Sequence, residues 1–202
     1  FSFSPAKIIT MEQGGAVVTD DEALHMRLRE LKDQGRPLRG TGGDDVHASV
    51  GFNFKLTNLQ AAVGLGQLSS IQRRLATMRR TYEAYRDGLK DVRGMRLFGF
   101  SLETGESPQW IDAWCEDRDG LVEHLRARGA ECRKFWFPLH TQAPYRRPDQ
   151  GFPRSTSLAP YAFWLPSSLS LSEADVATIC GWIREYVPSR ARPHPVSVSA
   201  AA

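Results

Sequence analysis

The chain has 202 residues, 41% hydrophobic and 24% charged, ordinary proportions for a globular protein and a length that suits one domain or one and a half. Its 26 basic and 23 acidic side chains leave a net charge of +3, too small to argue for a nucleic-acid partner, and no apolar run approaches the roughly 18 residues of a membrane span. Cys115, Cys132 and Cys180 are widely spaced, with no Cys-x-x-Cys pair and no Cys/His cluster of zinc spacing, so they read as small core thiols of a cytoplasmic protein with no metal site.

In chain order, residues 14–19 (Gly-Gly-Ala-Val-Val-Thr) read as a short buried strand. Asp20 and Asp21 cap a helix running to about Gln34, with Leu24, Leu28 and Leu31 on one face and Gly35 as its stop. Residues 36–51 form a polar, Gly-rich loop of a length that is often functional. Thr57-Asn58 opens a helical stretch from Leu59 to about Leu89. Its first half is rich in Ala and Gly, which lets backbones approach, and its second half is amphipathic and basic.

After Gly94 the pattern changes. Strands at 95–98 and 109–115, a helix at 119–128 stopped by Gly129 and a strand at 132–137 follow in order. A Pro/His/Tyr segment, a short helix near 154–163 and a capped helix from Ser172 to about Val187 complete a small α+β domain. The Pro/Ser/Ala/Arg-rich residues 188–202 show no apolar period and are expected to be a disordered tail.

Lys7 is the candidate for chemistry. It sits in a small-residue turn, with Phe1-Ser2-Phe3 before it and the Gly14-Gly15 stretch after it. A lysine that presents its amine to a carbonyl must be held on a fixed turn. Taken alone, Lys7 also reads as a solvated loop lysine, Ser2 as a strand-end serine and Asn53 as a turn residue. Arg73, Arg74, Arg79 and Arg80 precede Glu83 and Asp87 on one helix, so this basic run reads as a solvated face. Phe135, Trp136 and Phe137 alternate along a strand and read as half core, as do Trp110 and Trp114.

Four blocks resemble the DegT/DnrJ/EryC1/StrS family of pyridoxal-phosphate sugar aminotransferases. They are Ser2-Phe3-Ser4-Pro5-Ala6-Lys7-Ile8-Ile9-Thr10-Met11-Glu12-Gln13-Gly14-Gly15, then Gly51-Phe52-Asn53-Phe54-Lys55-Leu56-Thr57-Asn58-Leu59-Gln60-Ala61-Ala62, then Phe137-Pro138-Leu139-His140 with Pro144-Tyr145, and Leu165-Pro166. The resemblance spans about 1–187 and implies an α/β fold. Residues 1–58 would be the C-terminal part of the aspartate-aminotransferase-type (fold type I) large domain, 59–93 interdomain and dimer helices, and 94–187 the small α+β domain.

It further implies that Lys7 forms the Schiff base with pyridoxal 5'-phosphate and then moves the proton, that Ser2 donates to the cofactor phosphate, and that Asn53 reaches the partner's cofactor phosphate across a homodimer. Lys55, where the family often has Arg, together with His140 and Tyr145, would face the nucleotide-sugar, although His140 also reads as a capped structural histidine. Gln13 replaces the usual Glu, and Ser4 takes a position that is often His or Tyr. The expected reaction moves an amino group from a donor such as glutamate to a nucleotide-linked keto-deoxysugar. The segment 135–140 has a perosamine-synthase-like flavour that points to a 4-keto-6-deoxyhexose. The dehydrating branch of the family carries His in place of the lysine, and Lys7 argues against it. The ring-stacking aromatic and the carboxylate for the ring nitrogen are not found in this sequence, which reads as the C-terminal half of such an enzyme. The alternative expectation is a non-catalytic remnant or interaction domain.

Overall fold

The computed structural model describes residues 1–36 and 46–187. The Gly-rich part of the expected loop at 37–45 and the expected tail at 188–202 lie outside the described residues. The chain divides into two compact units, Phe1–Arg73 and a second from Arg74 on.

The first unit opens on a closed loop. The Phe1 amino group donates to the Ala16 carbonyl at 2.6 Å, and the amides of Phe3 and Met11 donate to the carbonyls of Gly14 and Phe3. Helix α1 (Glu22–Lys32) starts at Asp21, whose carboxylate accepts from the Leu24 amide at 3.0 Å. It ends where Gln34 and Gly35 turn to φ 62° and 82°. Helix α2 (Asn58–Leu68) starts in a capping box between Thr57 and Gln60.

The structure departs from the expected buried strand at 14–19. This segment makes one isolated antiparallel bridge, Ser2 to Gly15, and Val17 and Val18 are exposed. A strand needs a ladder along its length, and among the described residues only the Phe1–Phe3 stretch lies beside it. The expected helix 59–89 also breaks. Ser69 and Ser70 turn their hydroxyls onto the Gly66 and Gln67 carbonyls and so compete with the next helical turn.

The second unit is built on α3 (Ile71–Leu89), whose buried stripe is Met78, Thr81, Tyr82, Tyr85 and Leu89. Four strands follow: β1 (Met95–Leu97), β2 (Ile111–Cys115), β3 (Arg133–Lys134) and β4 (Ala162–Leu165). They form one antiparallel sheet in the order β1-β2-β4-β3. Helices α4 (Arg118–Arg126), α5 (Pro153–Leu158) and α6 (Glu173–Tyr186) complete it. Ile111, Ala113 and Cys115 alternate toward one side, where they meet Tyr85, Leu121, Leu125, Phe163, Leu165 and Ile183 in the core. The opposite side carries an aromatic cluster in which Trp164 lies 4.4 Å from Trp136 and 4.7 Å from Trp110 between ring centroids.

Two further expectations shift. The strand at 132–137 contracts to two residues, leaving Trp136 and Phe137 exposed beyond it. The helix near 154–163 stops at Leu158, and the apolar run that follows is β4, a fully buried interior strand. A four-residue apolar run has no period that separates strand from helix.

Candidate functional site

Lys7 stands at the tip of the closed loop. Its amide donates to the Ser4 carbonyl at 3.1 Å, and the Thr10 hydroxyl donates to the Phe3 carbonyl at 3.2 Å across the base of the turn. Ser2 lies on the same loop, and its hydroxyl donates to the Ser4 hydroxyl at 3.3 Å. The glycine pair is required here. Gly14 has φ 127°, and a Cβ on it would fall 2.8 Å from the Leu56 side chain; one on Gly15 would fall 2.7 Å from the Phe1 carbonyl oxygen. Met11, the buried hydrophobic residue of this loop, packs against Gly64 of α2 and seats the loop on that helix.

Asn53 lies on an extended segment held against the end of α1. The amides of Phe52 and Phe54 donate to the carbonyls of Leu31 and Lys32, and Gln34 donates back to Phe52. Asp33 and Asn53 face each other in an antiparallel bridge. The rings of Phe52 and Phe54 stack at 4.9 Å, which puts Asn53 and Lys55 on the other side of the segment. The Lys55 ammonium meets Asp33 Oδ1 at 2.6 Å. That contact, with Arg36 behind it, holds the Asp33 carboxyl below the usual carboxylate range. Within this unit a cavity of about 730 Å³ runs between the glycine pair, Phe52, Phe54 and the Arg29 and Lys32 face of α1.

In the second unit His140 is buried, and its Nε2 lies 3.1 Å from Asp149 and 3.3 Å from the Thr156 hydroxyl. Its ring stacks on Phe152 at 4.5 Å. These contacts match the structural reading of His140. Tyr145 is exposed. Nearby, a cavity of about 780 Å³ is walled by Phe100, Trp136, Phe137 and Leu139, with Asp112 and Arg154 as its charged groups. Burial pushes the Asp112 carboxyl up, partly offset by the Trp164 indole on the paired position of β4.

The structure thus brings Lys7 and Ser2 onto one loop. It engages Lys55 with Asp33 and buries His140. Two residues escaped the sequence reading. Asp33 was hidden as an ordinary helix-end residue, and Asp112 as the polar position of an alternating strand, although a carboxylate flanked by Ile111 and Ala113 was a legible signal.

The closed loop of the first unit carries a primary amine on a fixed turn and two paired hydroxyls, donor types that suit a phosphate ester bearing an aldehyde. The profile of the DegT/DnrJ/EryC1/StrS aminotransferase family matches residues 1–184. GDP-perosamine synthase of Escherichia coli O157:H7 is 30% identical over 190 residues, covering 92% of this chain and 50% of that protein. The crystal structure of S. venezuelae DesV in complex with a ketimine intermediate superposes with a TM-score of 0.83 at 28% identity, over 95% of this chain and 52% of that one. DesI in the presence of its TDP-sugar product gives 0.79 at 29% identity, over 92% and 48%. The chain spans about half the length of the curated relatives it matches, and this family works with pyridoxal phosphate. The chain belongs to the DegT/DnrJ/EryC1/StrS aminotransferase family.

Proposed function

We propose that the protein transfers an amino group from an amino-acid donor, glutamate in the simplest case, to a nucleotide-linked keto-deoxysugar such as a 4-keto-6-deoxyhexose. The observation that carries this reading is the closed loop that holds both Lys7 and Ser2, each hydrogen-bonded to Ser4. Pyridoxal phosphate, when bound, supplies the aldehyde and the electron sink. Lys7 would hold the cofactor covalently through Nζ. Freed from that bond, the same Nζ would be the base that takes and returns the proton at the amine-bearing substrate carbon. Ser2 donates its hydroxyl to the phosphate. Asn53 serves the partner's cofactor in a homodimer, so each site is composite. Tyr145 is read as a substrate contact, and buried His140 holds the Leu139–Phe152 segment in shape. We read the protein as cytoplasmic; no helix among the described residues is long and apolar enough to cross a membrane.

The test is covalent trapping. Protein incubated with pyridoxal phosphate and reduced with borohydride should carry one cofactor mass on the Lys7 peptide, and Lys7→Ala should carry none there. A label that ignores Lys7→Ala sinks the assignment.

One observation favours a second reading. Leu59, Val63, Leu65 and Leu68 of α2 are exposed, as are Val17 and Val18, a pattern suited to an interaction domain without catalysis. Titration of the 202-residue chain with pyridoxal phosphate separates the two: micromolar binding with turnover refutes the second.

A further inference from the structure

Asp33 is placed against its local preferences. It caps the C-terminal end of α1, where the helix dipole is negative and disfavours a carboxylate. It is also only 8% exposed, which raises the cost of an unpaired charge. Both penalties are met by cations: Lys55 Nζ lies 2.6 Å from Oδ1, and Arg36 Nη1 lies 3.4 Å from the same oxygen.

The backbone gives this ion pair a consequence. Asp33 bridges Asn53 directly, and the amides of Phe52 and Phe54 bond to Leu31 and Lys32 on either side. In an extended segment, residues two apart share a face. Anchoring Lys55 to Asp33 therefore fixes the face on which Asn53 projects. A one-residue slip would exchange Asn53 for Phe52 or Phe54. A Cβ on Gly35 or Gly51 would collide with backbone, so the two glycines let the segment lie this close to the end of the helix.

We propose that Asp33 is a positioning residue that sets the register and facing of Asn53, with Lys55 as its strut rather than a ligand of the sugar nucleotide. This rests on the reading of Asn53 as a cofactor-phosphate donor.

The experiment combines cofactor titration with hydrogen exchange on the full chain and its variants. Asp33→Asn should weaken pyridoxal phosphate binding roughly tenfold, as should Lys55→Met, while Lys55→Arg should restore most of it. Asp33→Asn combined with Asn53→Ala should bind no more weakly than Asn53→Ala alone, because the donor is already lost. Without cofactor, Asp33→Asn should speed exchange at the amides of Phe52 and Phe54 and leave β2 and β4 unchanged. A protein that labels at Lys7 yet binds the cofactor equally well with Asp33→Asn overturns the positioning role alone, as do multiplicative losses with Asn53→Ala. A wild-type chain that takes no label at Lys7 overturns the cofactor reading beneath it.

Discussion

Cys115, Cys132 and Cys180 are free thiols, and burial raises each: Cys115 and Cys180 to about 11, Cys132 to about 12. The thiolate is the reactive form, so at pH 8 a thiol reagent should modify the folded protein at least about 100-fold more slowly than the unfolded chain. Reagent kinetics with and without denaturant measure this directly. The same shifts have a stability consequence. An unfolded thiol ionises near its ordinary value of 9.0, while the folded ones hold their protons to about 11 or 12. The folded state therefore binds more protons in that window, and stability that is complete below about pH 9 should fall as pH rises through it. Tyr85, also pushed up by burial, adds to the fall; its hydroxyl donates to the Pro166 carbonyl at 3.0 Å. Tyr85→Phe should cost about 1 kcal/mol in denaturant unfolding at neutral pH, since that carbonyl loses its donor. At this scale the turn that carries Lys7 was legible, because a lysine framed by small residues and glycines is a lysine held on a turn. Asp33 was not legible, because its partner Lys55 is distant in sequence and only the fold joins them.

Among the elements, α2 shows how a small-residue face is used. The Ala and Gly content of 59–68 promised close approach, and the structure supplies the approaching group: Met11 lies against Gly64, where an added Cβ would collide with its side chain. Gly64→Ala should therefore push Met11 out and loosen the Lys7 loop, slowing borohydride-trapped labelling of Lys7. Adding Met11→Ala removes the collision and should recover part of the rate; a Gly64→Ala protein that labels like wild type would show that the loop does not depend on this contact. The strands were harder to read. β2 was legible from its alternation and the last helix from its Ser172 cap, which the structure completes as a capping box with Asp175. β4 was not, because Ala162 to Leu165 is buried on both faces and so carries no alternation. The strand expected at 14–19 failed for the converse reason: a β-rich sequence forms a strand only where a neighbour supplies the ladder, and that lies outside local sequence.

For the whole molecule, the distribution of burial decides which part carries stability. Among the described residues, Met11 is the buried hydrophobic side chain of the first unit, whereas the second gathers α3, β2, β4, α4 and α6 around one core. No residue of α1 or α2 is buried. At about 25 cal/mol for each Å² of apolar surface removed from water, a unit with so little buried apolar area has little to set against its chain entropy. The second unit, by contrast, encloses Tyr85, Phe163, Ile111, Leu121 and Ile183 almost completely. Native-state hydrogen exchange should therefore divide the chain in two. Amides of α1 and α2 should exchange through local opening, at rates insensitive to mild denaturant. Those of β2, β4 and α6 should exchange only with global unfolding. A fragment spanning residues 71–187 should then melt as one cooperative transition, with near-UV signals from the Trp110, Trp136 and Trp164 cluster intact below it. If α2 instead proved as protected as β4, its apolar face would have to be covered in solution. Adding pyridoxal phosphate tells whether that cover belongs to a composite site: protection that grows with cofactor and with protein concentration marks the proposed homodimer in which Asn53 would serve the partner's cofactor, whereas protection indifferent to cofactor marks an interaction surface alone.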